Sequence, residues 1–126
     1  MPKTDVGFYC DEDGTAPVLN WLDELAGKDE RAYLKCRETI KRLELLGHEL
    51  RRPTADLLQD GVYELRARVG RVNYRILYFF HGRNVAILAH GFTKEGKIPR
   101  ADLKRALDRK TAFEANPERH TYKEEQ

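Results

Sequence analysis

Four arginines crowd the stretch VYELRARVGRVNYRILYFF, which runs from Val62 to Phe80: Arg66, Arg68, Arg71 and Arg75. His90, Lys94 and Lys97 follow in the same half of the chain. Guanidinium and ammonium groups bind phosphate and stabilise the negative charge that grows on a phosphoryl group in a transition state. Together with an imidazole they suit metal-free cleavage of RNA, in which a base deprotonates the ribose 2′-hydroxyl and the oxygen attacks the adjacent phosphate.

A predicted β-hairpin brings two of these arginines together. Glycine can adopt the positive φ that a type II′ turn requires, so Gly70-Arg71 is predicted as a two-residue turn. Counting outward from this turn places Arg66 opposite Arg75 and Arg68 opposite Asn73. A like-charge pair costs a few tenths of a kcal/mol or more, and a fold tolerates it most readily when an anion completes the cluster. In the alternative, the arginines spread into solvent or pair with Glu64, Glu95 or Asp102.

Alternation of side chains along the strands assigns two faces to this sheet. One face is apolar and is expected to pack on helices; it contains Tyr63, Leu65, Ala67, Tyr74, Ile76 and Tyr78. The other contains the arginines with Leu77 and Phe79. In the next strand we expect Val85, Ile87 and Ala89 on the apolar face and Ala86, Leu88 and His90 on the arginine face. A histidine in such a position is more often a structural hydrogen-bonding group than a catalyst.

The charge of the chain is divided unequally. The net charge is +2, but residues 62–113 contain twelve Lys/Arg and four Asp/Glu, while the remainder contains eleven and seventeen. A polyanion would therefore bind to the second half, although a block this basic is also often a solvated face.

In chain order, two helices are predicted before the hairpin strands and one after the last strand. Thr15 with Pro17 indicates a helix start, and Gly27 can end that helix. A second helix is expected from near Asp29 to about Leu46, so that the two form an antiparallel hairpin. A last helix is expected from about residue 99 to residue 113.

The remaining elements define the predicted fold class. Strands are expected at 5–11, 62–69, 72–80 and about 84–92, and residues 48–60 are expected to form a loop. The sequence therefore predicts an α+β fold, in which a small antiparallel sheet of about four strands packs against an N-terminal helical hairpin, with a C-terminal helix. Residues 1–113 are expected to form a single domain and residues 114–126 a flexible, frayed tail.

Several classes of protein are not expected. The two cysteines, Cys10 and Cys36, have no spacing typical of a zinc site and are expected to be reduced thiols. We expect no metal site and no cofactor. The chain has no apolar run of about 18 residues and its start lacks the pattern of a secretory signal, so a cytoplasmic protein is expected.

Two segments together resemble a known family. The sequences GVYELRARVGRVNYRILYFF and VAILAHGFTKEGKIPRADLKRAL resemble the RelE/HigB-type toxins of bacterial toxin–antitoxin systems, in particular a phage-derived HigB-like subgroup. The resemblance extends from Thr15 to about Arg109. It implies a small mixed α/β fold, ribosome-dependent cleavage of mRNA and neutralisation by a cognate antitoxin, commonly of the helix-turn-helix type.

The resemblance also implies roles for individual residues. Arg66 and Arg75 would hold the scissile phosphate, Lys94 would bind backbone or stabilise charge, and His90 would act as base or acid as a hypothesis. The residues expected to bind RNA around them are Arg68, Arg71, Asn73, Lys97 and Arg100. The alternatives are a ParE-like toxin that targets DNA gyrase, a non-catalytic module that binds protein or nucleic acid, and a catalytically idle member.

Overall fold

Five strands and three α-helices make up the part of the chain that the computed structural model describes, which is residues 3–93 and 96–123. The strands are β1 (Asp5–Phe8), β2 (Ala55–Gln59), β3 (Val62–Val69), β4 (Val72–His81) and β5 (Val85–Thr93). The helices are α1 (Pro17–Lys28), α2 (Glu30–Leu46) and α3 (Arg100–Ala115), and a 3₁₀ turn follows α2 at Gly47–Glu49. All five strands form one sheet in the order β1-β5-β4-β3-β2. The α+β class is thus confirmed.

The N-terminal helical hairpin forms as predicted, with different boundaries. Pro17 occupies the first turn of α1, but Ala16 precedes the helix and no side chain caps it. The helix also continues past Gly27 to Lys28. Asp29 then caps α2, because its carboxylate accepts a hydrogen bond from the backbone N–H of Ala32 at 3.1 Å.

The sheet differs from the predicted one in number and direction of strands. It has five strands instead of about four, because residues Ala55–Gln59 of the expected loop pair antiparallel with β3. It is mixed, because β1 runs parallel to β5. The sequence ADLLQ has little alternation of its own, so the neighbouring strand decides its conformation.

The β3–β4 hairpin has the predicted register. Val69 lies opposite Val72 across the two-residue turn, and Gly70 adopts a φ of +61°. Arg66 lies opposite Arg75, as the count from the turn predicts. Turn chemistry and alternation were sufficient to fix this part of the fold.

The predicted facing of β5 is wrong for its first half. Three residues connect β4 to β5, since His81 pairs with Val85, and this odd number inverts the alternation. Leu88 therefore packs on the helical hairpin, while Ile87 faces α3. A β-bulge then shifts the register, so that His90 lies opposite Leu77 and returns to the arginine face.

Helices cover both faces of the sheet. The larger core lies between the sheet and α1 with α2, and it contains Val18, Leu22, Cys36, Leu43, Leu65, Ile76 and Tyr78. On the opposite face α3 packs through Ala106 against Val62 and Leu77, and through Phe113 against Phe79. The C-terminal helix therefore covers much of the face that carries the arginines, including both apolar neighbours that the sequence placed there.

The segment after α3 packs against the start of the chain. Thr121 pairs with Tyr9, and the backbone N–H of Tyr122 donates to the carbonyl of Phe8 at 2.8 Å. His120 is buried and its Nδ1–H donates to the carbonyl of Cys10 at 2.8 Å. Up to residue 123 this segment differs from the frayed tail that we expected. The assignment of residues 1–113 to one domain stays a prediction.

Candidate functional site: the arginine face

A buried carboxylate joins the two facing arginines. Glu64 precedes Arg66 by two positions on β3 and therefore shares its face; it is 1% exposed. Its Oε2 accepts a hydrogen bond from Nη1 of Arg75 at 3.0 Å, and its Oε1 accepts bonds from Nε and Nη2 of Arg66, the first at 2.9 Å. The like-charge pair is thus stabilised by an anion from the chain itself, which is the internal pairing that the sequence left open.

Arg75 is the buried member of the pair. It is 6% exposed, and its Nη2 donates to the carbonyl of Gly96 at 2.7 Å. That bond attaches β4 to the segment between β5 and α3, next to the exposed Lys97. Nε of Arg75 is buried without a hydrogen-bond partner among the described residues. Arg75 therefore holds the backbone beside Lys97 in place.

Arg66 is the accessible member of the pair. Its side chain is 34% exposed, against 7% for that of Arg75. Two of its nitrogens are held by Glu64, so that the guanidinium plane is fixed while one edge faces solvent. Of the two arginines, Arg66 is the one that a phosphate can reach without a rearrangement of the sheet or of α3.

His90 connects β5 to α3. Its Nε2 lies 2.6 Å from Oδ1 of Asp102, and its Nδ1 lies 3.3 Å from Nη1 of Arg109. Because a guanidinium can only donate, Nδ1 is the acceptor and Nε2–H donates to the carboxylate. Burial lowers the pKa of His90 below its ordinary value, Arg109 and Arg105 lower it further, and the bond to Asp102 opposes the decrease. The imidazole is thus neutral at neutral pH, with both nitrogens engaged by the protein.

The residues predicted to bind RNA lie at the rim of the cluster. Arg68 and Asn73 are cross-strand partners beyond the central pair, and Arg71 occupies the turn. Lys97 and Arg100 are exposed, and Arg100 begins α3. Arg68 and Asn73 thus follow the central pair along the hairpin, and Lys97 is next to Gly96, which Arg75 contacts. Arg71 and Arg100 mark the outer ends of these two segments. Lys94 lies outside the described residues.

One contributor was missed in the sequence. Arg109 donates to the carbonyl of Ala89 at 2.7 Å and contacts the ring of His90. It sits three positions after Ala106 and four before Phe113, both of which are buried. A cation in the buried stripe of a helix is the signal that could have identified it.

Residues 3–93 and 96–123 contain no group of three His, Cys, Asp or Glu side chains that could hold a metal ion. No helix in this part of the chain is both long and apolar enough to cross a membrane.

The fold and the site together define a small α+β protein with a mixed sheet, covered by helices on both faces, and a cationic cluster fixed by a buried carboxylate. The model of the phage-derived protein Gp49-like family matches residues 20–111, and the chain belongs to this family. The family is associated with the toxins of toxin–antitoxin systems. The matched range begins within α1 and ends within α3, so it includes the entire arginine face. A search of curated proteins finds no match.

Proposed function

We propose that this chain is the toxin of a toxin–antitoxin module, of the RelE/HigB type, and that it cleaves mRNA on the ribosome without a metal ion. The family membership supports the toxin assignment. The observation that carries the proposed chemistry is the guanidinium of Arg66, held rigidly by Glu64 with one edge open to solvent. The reaction inhibits translation and takes place in the cytoplasm, where the ribosomes are.

In the proposed reaction the ribose 2′-oxygen attacks the adjacent phosphorus. The 2′-hydroxyl loses its proton to a base, the bond from phosphorus to the 5′-oxygen breaks, and the leaving oxygen takes up a proton. The products are a 2′,3′-cyclic phosphate and a 5′-hydroxyl. Arg66 stabilises the additional charge on the phosphorane, a type of contact whose removal costs about 10²–10³ in rate. DNA has no 2′-hydroxyl and is spared.

The other predicted site residues take supporting roles in this proposal. Arg75 positions the backbone beside Lys97, which adds positive charge at the phosphate. Lys94, which lies outside the described residues, keeps its expected role of binding the RNA backbone or stabilising charge. Since both nitrogens of His90 are engaged, we assign it to positioning Asp102 and α3, and its use as a base requires Arg109 to release Nδ1 first. The RNA backbone is held by the rim residues Arg68, Arg71, Asn73, Lys97 and Arg100.

The proposal implies three partners: the ribosome, its mRNA and a cognate antitoxin. The antitoxin is expected to be encoded next to the toxin and to be of the helix-turn-helix type. No membrane is involved in this function.

A second candidate function is toxicity by binding alone, as in a ParE-like toxin that targets DNA gyrase. The observation that favours it is the internal pairing of the cluster: Glu64 neutralises one charge of the arginine pair, and no nitrogen of His90 is left free. Such a site binds an anion without supplying a base.

Induced expression in bacteria separates the two candidates. The wild-type chain should stop growth, and primer extension on translated mRNA should show new 5′ ends. Arg66→Gln should relieve the arrest and reduce cleavage by about 10²-fold. Arg83→Gln is the matched control, because Arg83 is exposed and lies in the β4–β5 connection outside the cluster.

Arg75→Ala should also relieve the arrest, but it removes one of the two guanidiniums that bind the buried Glu64, so folding must be checked by circular dichroism. Full toxicity of Arg66→Gln would remove Arg66 from the mechanism. Growth arrest with intact mRNA and persistent DNA damage signalling would instead favour the gyrase-targeting function. Unimpaired growth on induction of the wild-type chain would contradict both functions and indicate a catalytically idle member.

A further inference from the structure

A second cationic site lies beside the arginine face. It is a cleft of about 360 Å³ between α2, the segment before β2 and the end of β3. Ala55 pairs with Leu65, and the carbonyl of Thr54 accepts from the backbone N–H of Arg66 at 2.7 Å. Residues 67–69 of β3 extend beyond this last contact with the β2 segment. The cleft is lined by Lys35, Thr39, Arg42, Pro53, Thr54, Arg66, Arg68 and Asn73.

The lining residues include four cations and no carboxylate. Arg42 donates to Oγ1 of Thr54 at 3.1 Å, and Arg68 donates through Nε to the carbonyl of Gly70 at 3.0 Å. Among the described residues these two guanidiniums thus contact neutral oxygens. The other two cations have carboxylate partners, Lys35 through an exposed contact of 3.6 Å with Glu38 and Arg66 through Glu64. A surplus of positive charge therefore remains in the cleft.

One acceptor on a lining residue of the cleft lacks a donor. Oδ1 of Asn73 is buried and has no hydrogen-bond partner among the described residues. Phosphate oxygens, which only accept, do not satisfy it. A ribose 2′-hydroxyl does, because it can donate. A guanidinium-rich lining beside an orphaned acceptor therefore matches a phosphate next to a ribose hydroxyl.

We propose that this cleft binds the backbone of single-stranded RNA next to the nucleotide held at Arg66. Arg66 belongs to both sites, so one strand can run from the arginine pair into the cleft. Arg68 is two positions after Arg66 on the same face of β3, so their backbone positions are about 6.8 Å apart, twice the rise per residue of an antiparallel β-strand. This distance is comparable to that between successive phosphates of extended single-stranded RNA. The proposal rests on the proposed function, in that the RNA bound here is the strand to be cleaved.

An acidic segment of a protein partner fits the cleft less well. Pro53 is the one apolar residue of its lining, so a peptide would bury little apolar surface there. No aromatic side chain lines it for base stacking either. We therefore expect recognition of the backbone without preference for base sequence.

Binding of the full chain to short oligonucleotides tests the proposal without ribosomes. The probes are fluorescein-labelled oligouridine about 12 nucleotides long and its deoxy counterpart, and anisotropy gives the affinity over a salt series. Each phosphate contact of a single strand contributes about 0.7 to the slope of log K against log salt. Arg42→Gln combined with Arg68→Gln should therefore reduce the slope by about 1.4 and weaken binding. Gel electrophoresis establishes that the probe stays intact.

Three further variants separate charge from structure and test the orphaned acceptor. Arg42→Lys combined with Arg68→Lys keeps the charges and should retain the slope, and Arg83→Gln should leave it unchanged. Asn73→Ala should lower the preference for the oligouridine over its deoxy counterpart. The proposal would be overturned if the double glutamine variant had the same salt slope as the wild-type chain. It would also be overturned if that variant lost antitoxin binding but still bound RNA as the wild-type chain does. Absence of mRNA cleavage by the wild-type chain in cells, together with the binding results expected here, would contradict the proposed function alone.

Discussion

Substitution of Glu64 by glutamine tests how the arginine pair is held. Glu64 and Arg75 are 1% and 6% exposed, so the side chain that neutralises the buried guanidinium is itself out of water. Glu64→Gln removes the charge but keeps the size, and it leaves Arg75 buried without a compensating anion. Loss of one partner of a buried ion pair costs about 3–5 kcal/mol. We expect the free energy of unfolding to fall by that amount.

The expected change is large enough for routine measurement. For a chain of this size each kcal/mol lowers Tm by about 4 °C, so Glu64→Gln should lower Tm by roughly 12–20 °C. Urea unfolding followed by circular dichroism gives the free energy, and the exposed Glu24→Gln on α1 is the matched control, expected within about 0.5 kcal/mol of wild type.

A double variant supplies the decisive comparison. Glu64→Leu with Arg75→Met replaces the buried pair by apolar side chains of similar volume and should recover most of the lost stability, because such replacements are often neutral. The reasoning is refuted if Glu64→Gln costs less than about 1 kcal/mol, as an exposed ion pair would. It is also refuted if the double variant is no more stable than Glu64→Gln.

Three other predictions concern stability. A Cβ on Gly91 would lie 2.6 Å from Cε3 of Trp21, so Gly91→Ala should cost about 1–3 kcal/mol in urea unfolding, whereas Gly27→Ala, which meets no atom within 4 Å, should cost nothing. Burial lowers the pKa of His90 in the folded state, so its neutral form contributes stability that is complete above its unfolded pKa of about 6.5 and is lost as the pH falls through the folded value. Thermal unfolding between neutral and acidic pH should show a smaller decline for His90→Gln, and an unchanged decline would contradict this prediction. Deletion of residues 117–126 removes four hydrogen bonds to the start of the chain, one of them a weak bond from the thiol of Cys10, and should cost about 3 kcal/mol; an unchanged urea midpoint would show that this segment does not stabilise the fold.

Local rules were sufficient to predict the centre of the site. The hairpin turn is specified by Gly70, and alternation then determines that Arg66 faces Arg75 and shares its face with Glu64. The carboxylate and the two guanidiniums that form the ion pairs were thus visible in the sequence. What the sequence left open was whether the anion between the guanidiniums comes from the chain or from a ligand, because that depends on side-chain rotamers and burial.

Non-local features were not predicted. The facing of β5 depends on a connection of three residues and on a bulge, and neither has a distinct signal in this sequence. The strand Ala55–Gln59 forms because β3 offers an edge to it. The burial of His90 depends on contacts with α3, and Arg75 is bound by the segment before α3 at Gly96. Such outcomes are decided by tertiary packing, which overrides weak local preferences.

The carboxylate of Glu64 also determines which anions the arginines can accept. As part of the same chain, it faces both guanidiniums at an effective concentration far above that of a free anion in solution. A single carboxylate or an inorganic phosphate in dilute solution gains too little to replace it. A ligand can therefore use the open edge of Arg66 but not the nitrogens that Glu64 holds. The RNA of the proposed function adds to this ion pair and does not displace it.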